Sequence, residues 1–536
     1  MNFIHQFFTN ISNQIKNIYL NSNYYDKKIS EIYYDSLVYK PSPHLLSSLI
    51  KYQTKKIHIK DIASENLWNN KNVNTKNFAR LNNFYWFFSL DLKSPKIDAQ
   101  KIIINWIEKN YKYNSKSWEF DLTSKRIIAW LSNHNLTYEE SDKKYQKQFN
   151  GMIQKQTNHL MNEINKSELV DDKIIGCAAI ILVGLCYQDE KNYLIYGLSL
   201  LEKISKFSLD NRGFPKSRNI KQLVIYLKYF VLIREWFKEA QIQVPELLNE
   251  NIHYLGQGYA FIWQKVGVDI LLNGNNLSNN FEFDRYLKRH GYKFKEESKE
   301  FGGYVILHNK KISLVMDVGS PPLSKFSKDY QSGVLSFEVT SNGKKLISNC
   351  GYYSGSSSKL NKLSKSTATH STLIIDDHSS CRYKKINNKH YVVNNFKVVK
   401  KNIVFEKNYW KISASHNGYQ KKYNSIHERE IEFYPEQSKF VGTDKIINKK
   451  SNFNIKFEIR FHLEPDVKLM KTQDNKAILI ELEDEGWKFT CDNYHINIDN
   501  GLYFGNKNSY TQNQNIFISG IANKQYENIT WQLTKI

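Results

Sequence analysis

The sequence is poor in residues that break regular structure and in residues that build covalent or metal cross-links. Its 536 residues include nine Pro, 23 Gly and five Cys. The scarcity of Pro and Gly excludes collagen-like and low-complexity chains, and a hydrophobic content of 41% favours globular folding. The cysteines are odd in number and far apart, so they predict neither a disulfide framework nor a CxxC zinc cluster. They are Cys177, Cys186, Cys350, Cys381 and Cys491.

Long apolar runs are missing as well. No window of about 18 residues is apolar enough to predict a helix that spans a membrane. The first eleven residues have apolar patches but lack the basic start and uninterrupted apolar stretch of a signal peptide, so they predict an amphipathic helix. A chain of this length exceeds what one hydrophobic core supports, and we therefore expect two or more domains.

The charge balance is strongly basic, with a formal net charge of +23. Such a charge favours an anionic partner, because Lys and Arg attract polyanions. The lysines are scattered along the whole chain and no helix-turn-helix, zinc-finger or RNA-binding signature accompanies them, so nucleic acid is not the expected partner.

The pattern of apolar residues divides the chain into two parts. From about residue 75 to 270, apolar residues recur at helical spacing, as in 102–107 and 126–131, and they predict stacked helical hairpins. Their tryptophans, Trp86, Trp106, Trp118 and Trp130, fit core packing better than a sugar-binding groove. After Phe281 short alternating runs predict the strands of a large antiparallel sandwich, and Asn342-Gly343 predicts a hairpin turn.

The most distinctive stretch is the hydroxyl-rich run 364–380, which contains His370 and then the apolar residues Leu373, Ile374 and Ile375. This pattern predicts that His370 lies at the entrance of a strand, held rigidly and facing a groove. A lone histidine in a Ser/Thr loop is also common as a structural residue, so the motif alone does not decide between the two interpretations.

Several motifs, in consistent order from about residue 75 to 535, resemble the heparinase II/III-like family. In the helical half they are 82–92, 118–131 and 210–219; in the sandwich half they are 332–338, 346–351, 367–373, 415–419 and 457–465. The resemblance implies an α+β multidomain protein in which an incomplete (α/α) toroid precedes a large β-sandwich. It implies an N-terminal extension over 1–74 that packs on the helical domain, a helical domain over 75–281 and a sandwich domain over 282–536.

The resemblance also implies a function, namely cleavage of an acidic, uronate-containing polysaccharide by β-elimination in a groove between the helical and β domains. Such an enzyme neutralises the uronate carboxylate, removes the C5 proton and protonates the leaving oxygen. The alternative is a catalytically inactive glycan-binding or envelope-assembly protein with the same fold. Family members work in the cell envelope or periplasm, and the absence of a clear signal peptide leaves the cytoplasm open. The oligomeric state is not predicted.

The site residues follow from the same resemblance. His370 would orient or protonate, Arg218 and Asn219 would neutralise the carboxylate, and His416 would bind substrate. The catalytic tyrosine of the family aligns near Gln222, so Tyr226, one turn later, is the substitute candidate base.

Two further positions depart from the family pattern. Gln331 and Asn349 replace the His and Asp that accompany the later histidine around a metal, and we assign them to substrate binding. Neutral amide oxygens are poor zinc ligands, so we expect no tightly bound metal and no cofactor.

Overall fold

A computed structural model describes residues 11–12, 14–31, 36–49, 68, 75–91, 94–187, 193–278, 280–386, 389–393, 396–449, 454–506 and 509–536. The predicted amphipathic helix over 1–11 lies almost entirely outside these residues. The chain divides into two compact units: unit 1 consists of 1–208, 225–253 and 280–293, and unit 2 of 209–224, 254–279 and 294–536. The domain boundaries expected after residues 74 and 281 stay a prediction.

The first part of the chain is helical, as its periodicity predicts. The helices are α1 (Asn23–Ile29), α2 (Pro43–Leu49), α3 (Thr75–Asn82), α4 (Lys96–Asn110), α5 (Phe120–Ser132), α6 (His134–Thr137), α7 (Lys143–Glu163), α8 (Val170–Cys186), α9 (Tyr193–Ser208), α10 (Ile220–Glu239), α11 (Glu246–Tyr259) and α12 (Phe281–Arg289). The short helices α13 (Ser358–Ser364) and α14 (Gln420–Tyr423) interrupt the strand-rich part. Within the described residues, none of the helices is long and apolar enough to cross a bilayer.

The tryptophans of the helical part form a core, as predicted. Trp86, Trp106, Trp118 and Trp130 are each at most 2% exposed. The rings of Trp106 and Trp130 meet edge to face, with centroids 5.6 Å apart. Their helical spacing therefore reflects packing, and these rings are not available to stack on a sugar.

Unit 2 contains all the named strands, and every pairing between them is antiparallel. One sheet contains β1 (Glu300–Phe301), β2 (Tyr304–His308), β3 (Ile312–Asp317), β4 (Phe337–Ser341) and β5 (Lys344–Ile347) in that order. A small ribbon contains β7 (Tyr383–Ile386) and β8 (Lys389–Val392). The turn between β4 and β5 has positive φ at Asn342 (47°) and Gly343 (78°), which confirms the predicted hairpin.

The two other sheets provide the remaining layers. The larger has the spatial order β14 (Lys468–Lys471), β15 (Ala477–Leu482), β16 (Glu485–Cys491), β19 (Tyr526–Lys535), β12 (Lys439–Asn448), β11 (Ser425–Tyr434), β10 (Trp410–His416) and β9 (Val398–Phe405). The smaller has the order β17 (Ile496–Tyr503), β18 (Thr511–Ala522), β13 (Ile455–His462) and β6 (Leu373–Ile375). A helical part followed by a large antiparallel β-sandwich is therefore confirmed.

Three sheets meet in an aromatic core. Phe337 of β4 stacks on Trp531 of β19 with centroids 5.4 Å apart, and Phe461 of β13 meets the same indole at 4.9 Å. All three rings are fully buried. Burying side chains of this size contributes roughly 1.5–3 kcal/mol each, which makes this contact a principal source of sandwich stability.

A polar cluster lies in the same core because of the alternation along β11. Ile431 and Phe433 face inward, and the period of two places Arg429 and His427 on that face too. Opposite Arg429 in the register is Asp444, whose carboxylate accepts bonds from Arg429 Nε at 2.8 Å and Nη2 at 2.9 Å. Trp531 Nε1 donates to the same carboxylate at 3.0 Å. A buried ion pair is thus joined directly to the aromatic core.

A chain of imidazoles extends from this pair towards the end of β10. The N–H of Gly418 donates to His416 Nδ1 (3.1 Å), so His416 carries its proton on Nε2 and donates to His427 Nδ1 (3.2 Å). His427 Nε2 then donates to Asp444 Oδ1 (2.7 Å). The sequence of donors fixes both histidines as neutral tautomers. Burial lowers the pKa of both rings, which favours the same state.

We predict that Asp444→Asn destabilises unit 2 by about 3–5 kcal/mol, because it leaves the guanidinium of Arg429 buried without its counter-charge. Asp499→Asn is the matched control, since Asp499 is 48% exposed and pairs with Arg460 at 3.2 Å. This control variant should lower the free energy of unfolding by less than about 1 kcal/mol. Chemical denaturation followed by tryptophan fluorescence measures both. Equal effects of the two variants would contradict the buried-pair account.

The buried histidines predict a loss of stability in mild acid. Burial lowers the pKa of His370 to about 4 and of His462 to about 3, and it lowers those of His416 and His427 in the same direction. In the unfolded chain these rings titrate near the ordinary value of about 6.5. Below that pH only the unfolded state takes up protons, so each ring removes up to about 1.4 kcal/mol per pH unit until its folded pKa is reached.

Thermal melting at pH 7.5, 6.5, 5.5 and 4.5 tests this dependence. The midpoint should be nearly constant above pH 6.5 and fall progressively below it. His427→Gln should reduce the slope of that fall, because one titrating group is lost. A midpoint that does not change between pH 7.5 and 5 would show that the four imidazoles are not buried in the folded protein.

Candidate functional site

His370 lies immediately before β6, as predicted, but its ring is completely buried. Its Nδ1–H donates to the carbonyl of Ser366 at 2.8 Å, which leaves Nε2 unprotonated. Among the described residues Nε2 has no hydrogen-bond partner. The rigid placement that the motif predicts is present. The predicted exposure to a groove is wrong, because the ring packs against Gly333, where an added Cβ would lie 2.4 Å from the imidazole.

Gln331 is also buried, and its amide is bonded on both sides. Oε1 accepts from the N–H of Gly274 at 2.9 Å, while Nε2 donates to the carbonyls of Gly351 (3.0 Å) and Ser364 (2.6 Å). The side chain therefore joins three chain segments. The predicted contact with substrate is not available in this arrangement, because the amide is 0% exposed and its groups are already satisfied.

Asn349 has a similar internal role. Its Oδ1 accepts from the N–H of Ser371 at 2.8 Å, and its Nδ2 donates to Glu338 at 3.2 Å. Glu338 in turn pairs with the buried ammonium of Lys345 at 3.0 Å. Asn349 is thus a structural bridge, contrary to its assignment to substrate binding. Within the described residues no group of three or more His, Cys, Asp and Glu side chains could hold a metal ion.

Arg218 is held by the most extensive set of bonds of any predicted residue. A guanidinium has five N–H donors, and all five are used within unit 2. The acceptors are the carbonyls of Gly302, Gly303, Gly319 and Ser320 and the carboxylate of Asp317. An added Cβ at Gly319 would lie 2.3 Å from the guanidinium carbon, so glycine is needed there. No donor remains for a uronate carboxylate, and the predicted neutralising role of Arg218 is not supported by this geometry.

Asn219 is buried, with 4% exposure, and its Nδ2 has no hydrogen-bond acceptor within the described residues. Its Oδ1 caps the start of α10 by accepting from the N–H groups of Lys221 (2.9 Å) and Gln222 (3.2 Å). Its Nδ2 lies beside Gly274, where an added Cβ would be 2.6 Å away. Gly274 also donates to Gln331. The structure therefore brings Asn219 and Gln331 to the same backbone segment.

Tyr226 belongs to unit 1, whereas the other predicted residues belong to unit 2. Its side chain is 1% exposed, and its hydroxyl donates to Asp171 Oδ1 at 3.0 Å. The role of base assigned to Tyr226 stays a prediction.

His416, assigned to substrate binding, is 1% exposed and serves as the outer member of the imidazole chain. Its Nδ1 is occupied by the N–H of Gly418 and its Nε2 by His427. It therefore cannot contact a ligand directly. It supports the backbone of the segment that begins at Gly418.

That neighbouring segment reveals residues that the sequence interpretation missed. A pocket of about 660 Å³ in unit 2 is lined by 378–382 and 417–424, together with Val393 and Phe396. Its cationic members are Arg382, Lys421 and Lys422. Basic residues in two hydroxyl- and amide-rich stretches were visible in the sequence, but nothing in their spacing indicated that the stretches meet.

Comparison with known proteins shows what the strand-rich part of the chain is similar to. Residues 297–532 match the model of the family described as Heparinase II/III-like, C-terminal. Curated protein sequences gave no match to the chain. Solved structures gave several fold matches at a low sequence identity of 13–14%.

Three structures illustrate the fold match. A crystal structure of heparinase III has a TM-score of 0.68 and 14% identity, covering 93% of this chain and 86% of its own. A heparinase III gene product has a TM-score of 0.67 and 14% identity, covering 91% and 87%. A mutant of the heparan sulfate lyase HepC from Pedobacter heparinus has a TM-score of 0.66 and 13% identity, covering 88% and 79%. The resemblance carried by the sequence motifs is therefore confirmed, and residues 297–532 form a heparinase II/III-like C-terminal domain.

Proposed function

We propose that this protein is a polysaccharide lyase that cleaves an acidic, uronate-containing polysaccharide by β-elimination. The observation that carries the proposal is the family match over 297–532. The names of the fold neighbours, heparinase III and heparan sulfate lyase, agree with it. A formal net charge of +23 suits a polyanionic substrate, because basic surfaces concentrate polyanions at low ionic strength.

Within that reaction Asn219 is the residue best suited to neutralise the uronate carboxylate. Its oxygen is used by the helix cap, while no hydrogen bond to its Nδ2 is found within the described residues. An amide N–H directed at a carboxylate stabilises the negative charge that grows as the C5 proton leaves. Arg218 and His370 then have supporting roles: Arg218 anchors the residue before Asn219 to the carbonyls of Gly302 and Gly303, and His370 bonds the carbonyl of Ser366.

A second function is favoured by a different observation. Arg218 has no free donor, and His370, Gln331 and Asn349 are 0% exposed. These facts suit a glycan-binding protein that has the fold of the family without its chemistry. The two functions differ in whether an unsaturated sugar is released.

We predict that the full chain, incubated with heparan sulfate, alginate and other uronate polymers, releases products that absorb in the ultraviolet. Elimination creates a double bond conjugated with the carboxylate, whereas binding alone creates none. A neutral dextran is the control and should give no signal. Salt-sensitive binding without any increase in absorbance across the panel would favour the glycan-binding function and contradict the lyase.

Asn219→Asp tests the neutralising role without removing the helix cap. A carboxylate oxygen still caps α10, but the N–H donor is replaced by a negative charge. We expect turnover to fall by about 100-fold or more, since loss of one such donor typically costs 10²–10³ in rate. The melting temperature should change little. Asn219→Ser, which also keeps a cap, is the second variant; wild-type turnover in both would exclude Asn219 from the reaction.

A further inference from the structure

We propose that the pocket lined by 378–382 and 417–424 binds the anionic group of a sugar residue, either a carboxylate or a sulfate ester. The inference rests on the proposed function for its substrate class. It adds a binding site that the sequence motifs did not indicate. The pocket volume of about 660 Å³ falls within the range of roughly 300–1,000 Å³ that is typical of small-molecule sites.

The charged side chains that line the pocket are all basic. Arg382, Lys421 and Lys422 contribute three cations, and none of the described residues that line the pocket is Asp or Glu. Within the described part of the chain, the guanidinium of Arg382 and the ammonium of Lys421 form no ion pair. The buried cations Arg218, Arg429 and Lys345, by contrast, each have a carboxylate partner.

The third cation is held in place by its neighbours. The ammonium of Lys422 contacts Nε2 of His378, which must therefore be the unprotonated nitrogen, because an ammonium can only donate. Tyr423 Oη lies 2.8 Å from His378 Nδ1 and donates to Asp376 at 3.0 Å. The carboxylate of Asp376 lies outside the pocket lining and is already bonded to Tyr423. Asp377 also acts on Tyr423 electrostatically, but within the described residues neither carboxylate forms an ion pair with the three cations.

Uncharged groups beside the cations suit the rest of a sugar. Gln420 and Asn424 supply amides, Ser379 supplies a hydroxyl, and Phe396 supplies an aromatic ring at the wall. Amides and hydroxyls can exchange hydrogen bonds with sugar hydroxyls, and an aromatic ring offers an apolar face against which a sugar ring can pack.

The pocket is also rigid on one side. Gly418, which lies in the second lining stretch, donates its N–H to His416 and would place an added Cβ 2.9 Å from the carbonyl oxygen of Ser380. His416 is hydrogen-bonded to His427, which is hydrogen-bonded to Asp444 in the sandwich core. The short helix α14, which contains Lys421 and Lys422, follows directly. Lys421 and Lys422 therefore follow a backbone position that is hydrogen-bonded to the core, which reduces the ordering cost of binding.

The test compares two double variants of the full chain with the same change in net charge. Arg382→Glu/Lys421→Glu reverses two pocket cations. Lys476→Glu/Lys488→Glu reverses two exposed lysines that do not line the pocket and serves as the control. Fluorescence anisotropy with labelled oligosaccharides measures the Kd at fixed ionic strength. The probes are an alginate oligosaccharide, which has only carboxylates, a dextran sulfate oligosaccharide, which has only sulfates, and neutral dextran.

We expect the pocket variant to weaken binding of at least one anionic probe by tenfold or more and the control by less than threefold. The probe whose Kd increases in the pocket variant identifies the bound anion as a carboxylate or a sulfate. Equal weakening by the two variants, or no weakening by either, would overturn the inference, as would equally tight binding of neutral dextran. Far-ultraviolet circular dichroism and melting temperature of both variants show whether each is folded. Because binding is measured separately from product absorbance, failure of the lyase proposal would leave this result interpretable.

Discussion

The carboxylate of Asp444 is the interaction on which the β-sandwich unit depends. It accepts hydrogen bonds from Arg429, His427 and Trp531. The remaining amino group of Arg429 donates to the carbonyls of Leu335 and Ser371 at 2.8 and 2.7 Å. One buried charge pair thus connects the large sheet to the segments that precede β4 and β6. Trp531 adds the aromatic contact with Phe337 and Phe461. Polar and apolar parts of the core therefore stabilise each other at one place.

That arrangement explains why so many of the functional candidates are buried. His416 lies at the outer end of the chain of imidazoles from Asp444, and the strand entrance that contains His370 is held by Arg429 through Ser371. Gln331 and Asn349 fasten neighbouring segments to the same region. In this fold the hydroxyl- and amide-rich motifs supply hydrogen bonds to irregular backbone, and Asn219 is the candidate that retains a donor.

Sequence reasoning was sufficient where local chemistry decides the structure. The alternation 427–433 predicts β11, Asn342-Gly343 predicts the turn between β4 and β5, and the spacing of the tryptophans predicts core positions. The inward position of Arg429 could also have been predicted, because it shares a face with Ile431 and Phe433. The bonds of Arg218 could not, since four of its acceptors are carbonyls about 85 to 100 residues away in the chain. The pocket was equally hidden, because 378–382 and 417–424 meet only through the tertiary fold.

We propose that an acidic polysaccharide is cleaved by elimination, and the masses of the products test this most directly. A defined uronate oligosaccharide incubated with the full chain and analysed by mass spectrometry should yield two fragments whose masses sum to that of the substrate, one of them unsaturated. Fragments that together contain one added water would indicate hydrolysis, and an intact substrate that nevertheless binds would indicate a glycan-binding protein. Either result would contradict the lyase.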